Sequence, residues 1–80
     1  MFNPKQIELS NMLFNKLKEQ FPEIEFVSLS ESAENRDNIW VNIKYPNDED
    51  RQLELYELSG DISTDILLDY GYSINTVSAL

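Results

Sequence analysis

The chain has 80 residues, 41% of them apolar, a formal net charge of −9, and neither cysteine nor histidine. That length makes one domain with a modest core. The missing residue types exclude a disulfide framework, a thiolate zinc site and any side chain of ordinary pKa that titrates near neutrality.

The first predicted element is a helix over 4–20. Asn3-Pro4 supplies an N-cap followed by proline at the first helical position. Ile7, Ser10, Phe14, Leu17 and Phe21 fall within one arc at helical spacing, with Leu13 beside them. Pro22 disfavours helical geometry at Phe21 and ends the segment. Glu23–Ser30 mixes alternation with β-branched and aromatic residues and reads as a strand. Asn38–Tyr45 is the clearest strand, with Ile39, Val41, Ile43 and Tyr45 on one face and Trp40, Asn42 and Lys44 on the other. Pro46-Asn47-Asp48 closes it with turn chemistry.

Two readings compete for the next segment. Arg51–Leu58 alternates locally and could be a third strand of a meander. At helical spacing, however, Leu55, Leu58, Ile62 and Ile66 share a face, with Tyr70 at its margin, while Glu54, Glu57, Asp61 and Asp65 line the opposite side. Asp48 or Asn47 can cap the start of such a helix and Gly71 its end. The cost is Gly60, worth about 1 kcal/mol against alanine, and repulsion along the acidic stripe. One long helix accounts for more residues and is preferred. After Gly71, a short strand places Tyr72, Ile74 and Thr76 on one face. The expectation is a single small α+β domain over residues 1–80, in the order α-β-β-α-β. Its short mixed sheet has parallel second and third strands, with two main helices packed on it.

Charge bounds the partners. Residues 1–44 carry seven acids and five bases, whereas residues 45–80 carry eight acids and only Arg51. Such a surface repels nucleic-acid phosphates and anionic membranes, and scattered bases form no binding stripe. No apolar run approaches the roughly 18 residues of a membrane span, and Met1–Lys5 does not begin a signal peptide, so a cytoplasmic protein is expected.

In order, LKEQFPEIEFVSL, NIWVNI and RQLELYELSGDISTDILLDYGYSI resemble the first helix and strand, the second strand, and the following helix and turn of the minimal nucleotidyltransferase domains. These are small relatives of DNA polymerase β found in prokaryotic toxin–antitoxin pairs. The resemblance covers most of the chain. It implies a Gly-Ser turn for phosphates, an Asp-x-Asp pair for Mg2+ on the second strand, and a third carboxylate on a later strand. Here Ser30-Glu31-Ser32 stands where Gly-Ser is implied, and Asn38-Ile39-Trp40 where Asp-x-Asp is implied. The later strand offers Ser73 and Asn75. A shifted alignment puts Asp37 at the first acidic position, but then Ile39 falls at the second. Asn is a weak neutral ligand for a hard cation and Trp is none. The resemblance therefore implies a truncated, catalytically degenerate member with no cofactor, acting as an antitoxin-like partner of a helical HEPN-type toxin.

Other features admit a plainer account. Asp48-Glu49-Asp50 lacks the spacing of a calcium loop and suits a helix start. The acidic stripe is by default a solvated helix face. No serine sits in a recognisable elbow, so nucleophilic catalysis has nothing to build on. Trp40 is either core, covered by the first helix, or an interface anchor on an open sheet face. Leu53, Tyr56 and Leu67 widen the apolar flank of the long helix beyond one contact face, which suits a homodimer or an obligate partner. The function expected is non-catalytic protein binding. The alternative is an unrelated acidic inhibitor that offers carboxylates to a basic target.

Overall fold

The computed structural model describes residues 2–32 and 37–79. Its elements follow the expected order: α1 (Pro4–Gln20), β1 (Glu25–Glu31), β2 (Asn38–Lys44), α2 (Glu49–Tyr70) and β3 (Ser73–Ser78). β1 and β2 form an antiparallel hairpin, β3 runs parallel to β2, and the sheet order is β1-β2-β3. Residues 33–36 of the expected hairpin loop lie outside the described residues.

Local chemistry sets the helix ends. The Asn3 side chain accepts from the Gln6 amide at 2.8 Å while Gln6 Oε1 accepts from the Asn3 amide at 2.9 Å. This reciprocal pair satisfies two of the donors left over at the start of α1. The Asp48 carboxylate accepts from the Asp50 amide at 3.0 Å at the start of α2. At its end Gly71 adopts φ 78°, a left-handed position that glycine takes without a Cβ penalty, and its amide donates to Leu67 at 2.9 Å. The ambiguous segment is thus one helix, not a strand followed by a shorter helix.

Both helices bury their inner faces against one side of the sheet. Leu9, Leu13 and Leu17 of α1, Ile39, Val41 and Ile43 of β2, Leu55, Ile62 and Ile66 of α2, and Ile74 of β3 form one core. The period of two along β2 then turns Trp40 and Asn42 to the other side.

The buried arc of α1 differs from the one its apolar residues suggest. Gln6, Leu9, Ser10, Leu13 and Leu17 are buried, whereas Ile7 is 42% exposed. The inward face is rotated by about 60° at ~100° per residue. Two contacts explain it. α1 packs against α2 as well as the sheet, which draws the Gln6–Leu9 side inward. Gln6 tolerates burial because its amide oxygen serves the cap. Phe14 sits at the arc's edge, where its ring meets Phe26 edge-on at 5.8 Å.

α2 shows the same effect. Ser59 and Ser63 join Leu55, Ile62 and Ile66 on its buried face, and Leu58 is only half-buried. Small residues there let β3 and α1 approach closely. Ser59 Oγ shares a hydrogen with Thr76 Oγ1 at 2.7 Å, and the Tyr45 hydroxyl reaches Thr76 Oγ1 at 3.1 Å. Ser63 and Ser10 bury hydroxyls that find no partner, a cost the apolar packing around them offsets.

Arg51, the only base in the acidic half, ties the end of α1 to the start of α2. Its guanidinium donates twice to Glu23, at 3.0 Å each, and once to the Gln20 carbonyl at 3.1 Å. The group also lies 4.4 Å from the Phe21 ring centroid. The Arg51 hydrogen bonds hold the Glu23 carboxyl below its ordinary range. A lowered folded pKa means that the stability is present above the ordinary glutamate range and is lost as pH falls through the lowered value. An acid titration of the thermal midpoint should therefore show a steeper fall in that window for the wild type than for Glu23→Gln. Superimposable acid limbs would show the clamp to be without weight.

Candidate functional site

The hairpin brings the two suspected motif segments together. Ser30 pairs in register with Trp40 and Glu31 with Ile39, and the Ser32 amide donates to the Asn38 carbonyl at 3.0 Å. On the other side of β2, Trp40 is in register with Asn75 and Asn38 with Ser73. Strand alternation places Ser30, Trp40 and Asn75 on the sheet face turned away from the helices, with Glu31 on the helix side. The first helix therefore does not cover Trp40, which is half-buried among its cross-strand neighbours.

That open face is uncharged around the tryptophan. Asn42 Nδ2 reaches the Ser28 carbonyl at 3.3 Å, Ser28 Oγ at 3.2 Å and Ser30 Oγ at 3.1 Å. Asn75 Nδ2 donates to Ser73 Oγ at 3.3 Å. Amides and hydroxyls thus satisfy one another, across β2 and β1 for Asn42 and along β3 for Asn75. This donor set does not fit the divalent cation and nucleotide phosphates that the resemblance implies. The indole of Trp40 offers no lone pair to a metal, Asn38 brings only a neutral side chain, and Glu31 points to the helix side. Among the described residues, no group of three or more aspartate or glutamate side chains is placed to hold a metal ion.

The apolar surplus of α2 lies elsewhere, along the edge of the sheet. Leu53 and Tyr56 are 65% and 67% exposed, and Leu67 is about half exposed. At ~100° per residue the three share one flank of the helix, the flank beside β3. Two clefts open there. One, of about 460 Å³, is lined by Tyr45, Glu49, Gln52, Leu53, Tyr56 and Ser78. The other, of about 420 Å³, lies between Tyr56 and Gly60 of α2 and Trp40, Asn75 and Val77 of the sheet. Tyr56 lines both, and both open along the groove between α2 and β3. Of the four suspected interface residues, Leu53 and Tyr56 line the first cleft, Trp40 and Tyr56 the second, and Leu67 continues the same helix flank beyond them.

Glu54, Glu57, Asp61 and Asp65 are all exposed, on the side of α2 turned from the core. Sequence alone pointed to the apolar flank and to Trp40. It missed Gly60, Asn75, Val77 and the β3 edge, because their proximity depends on the strand order. No helix of the described residues is long and apolar enough to cross a membrane. Compared with models of protein families, with curated proteins and with solved structures, the chain finds no match.

Proposed function

We propose that this chain is a non-catalytic protein-binding domain whose contact surface is the groove between α2 and β3. One observation carries the reading: Trp40 and Tyr56, remote in sequence, line the same cleft beside the exposed Leu53. Aromatic side chains with one face packed and one face free are favoured anchors in protein interfaces.

The hairpin that sets Ser30, Glu31 and Ser32 against Asn38 and Trp40, followed by one long helix and a parallel strand, supports a nucleotidyltransferase-like origin with the ligand groups replaced. On that reading the domain is antitoxin-like and its partner a HEPN-type toxin, a step made by analogy of fold. The exposed carboxylates of α2 favour a second reading, an acidic inhibitor of a basic target. Salt separates the two, since a basic target loses affinity steeply as ionic strength rises.

Trp40 is the only tryptophan in the chain, so its emission reports directly on the groove. A partner captured by the immobilised wild type from its native cells should shift that emission. Trp40→Ala, folded by circular dichroism, should weaken the complex on the order of tenfold or more. Equal binding by the variant, or micromolar heat from Mg2+ and ATP in calorimetry, would overturn the proposal.

A further inference from the structure

Three aromatic side chains line the groove between α2 and β3. Tyr45 and Tyr56 belong to the first cleft, Tyr56 and Trp40 to the second. The clefts follow one another along the strands, because Ser78 of the first pairs with Ile43 and Asn75 of the second with Trp40. On α2 the order is reversed, with Leu53 in the first cleft and Gly60 in the second. From Leu53 to Gly60 the helix rises about 10 Å at ~1.5 Å per residue.

The walls are fixed, yet two donors are free. The Tyr45 hydroxyl is bonded to Thr76 Oγ1 at 3.1 Å, and Gln52 Nε2 donates to the Pro46 carbonyl at 2.7 Å. Among the described residues, the Trp40 indole N–H and the Tyr56 hydroxyl make no hydrogen bond. Gly60 is the poorest helix former after proline, in the middle of α2. No atom lies within 4 Å of the position its Cβ would take, so packing within the chain does not call for glycine there. Its effect is to keep the second cleft open.

The occupant must bind without a strand ladder, since Ile74 has no exposed surface and Thr76 is 8% exposed. A polyproline II segment does so. It needs no backbone partner, turns every three residues and rises ~3.1 Å per residue. Prolines at i and i+3 therefore share a face about 9 Å apart, close to the step between the clefts. Their rings pack on aromatic walls, and carbonyls between them accept from Trp40 and Tyr56. Glu49 lines the first cleft, a helical turn before Leu53 on the side away from Gly60. It has no ion pair among the described residues. That turn is ~6 Å, or about two polyproline residues. A base two positions beyond the first proline thus meets Glu49, in a chain of charge −9 that favours cations. A second copy cannot supply such a segment, because Pro4, Pro22 and Pro46 stand singly.

We infer that the groove binds a proline-rich segment of a partner protein in the polyproline II conformation. One proline occupies each cleft, three positions apart, and a basic residue lies two positions beyond the proline nearest Glu49. The inference rests on the protein-binding reading and adds the conformation and chemistry of the partner.

The test uses the intact chain and two capped hexapeptides, Arg-Ala-Pro-Ala-Ala-Pro and Pro-Ala-Ala-Pro-Ala-Arg, since a polyproline helix can lie in either direction. At least one should shift Trp40 emission at or below about 1 mM. Replacing both prolines by alanine, or the arginine by glutamate, should weaken that binding at least fivefold. Gly60→Leu sends a side chain into the second cleft without disturbing the core. It should raise the thermal midpoint, because leucine is the better helix former, and weaken peptide binding at least tenfold. Tyr56→Ala, folded by circular dichroism, should weaken it as much. Silence of both peptides would overturn the inference, as would full affinity in the two variants. Equal binding of the proline-free copy would mean charge attraction alone and would sink it too. Failure of the underlying reading shows differently, as heat from Mg2+ and ATP with no peptide present.

Discussion

Leu13→Ala is expected to lower stability by about 2–5 kcal/mol, the range for removing a buried leucine side chain and leaving part of its volume empty. Leu13 has no exposed surface and sits in the core that joins both helices to the sheet. For a domain of this size the total stability is on the order of 4–12 kcal/mol, so one such change removes a large share of it. Urea denaturation should show a lower midpoint with an unchanged slope, since the native surface is not reorganised. Ile7→Ala is the paired control. Its apolar side chain belongs to the stripe suggested by spacing, yet it is 42% exposed, and its cost should stay below about 1 kcal/mol. Similar costs at the two positions would mean that α1 is rotated from the orientation described.

The difference between Leu13 and Ile7 shows where sequence patterning stops. Helix ends were legible because their causes are local: Asn3 and Gln6 bond to each other, Asp48 caps its own helix, and Gly71 takes the one backbone shape that favours glycine. The face of α1 was not, because Gln6 is polar and only its part in the cap permits it to be buried. Ser59 and Ser63 were passed over on α2 for the same reason. Their place in the core is decided by how closely β3 and α1 approach. The choice between strand and helix over Arg51–Leu58 also lay beyond local alternation, since Leu53 and Leu55 suit either. The burial of Leu55, Ile62 and Ile66 on one side settles it.

The candidate site divides along the same line. Leu53, Tyr56 and Leu67 were visible as more apolar surface than one helix face needs, and Trp40 as an aromatic on the wrong side of its strand. That Trp40 and Tyr56 line one cleft follows from β3 lying at the edge of the sheet and α2 leaning over it. Edge position is a property of non-local pairing, which no short window of sequence carries.

Thr76→Val should cost about 1–3 kcal/mol, because it strands a buried hydroxyl without creating a cavity. Valine matches threonine in shape and keeps the β-branch that suits a strand, so the change isolates the oxygen. Thr76 Oγ1 links the buried Ser59 to the Tyr45 hydroxyl. Ser59→Ala alone leaves Thr76 bonded to Tyr45 and should cost less, near 1 kcal/mol. Combining the two changes removes both hydroxyls, so the double variant should be more stable than the sum of the single losses predicts, by about 0.5 kcal/mol or more. Strict additivity in denaturant unfolding would show that the two oxygens do not interact. The coupling bears on the groove because the hydroxyl pair fixes the register of β3 against α2. A slip of one residue would turn Ile74 outward and bury Asn75. The side chain of Thr76 therefore helps to hold in place the strand that, with Tyr56 of α2, lines the cleft reaching Trp40.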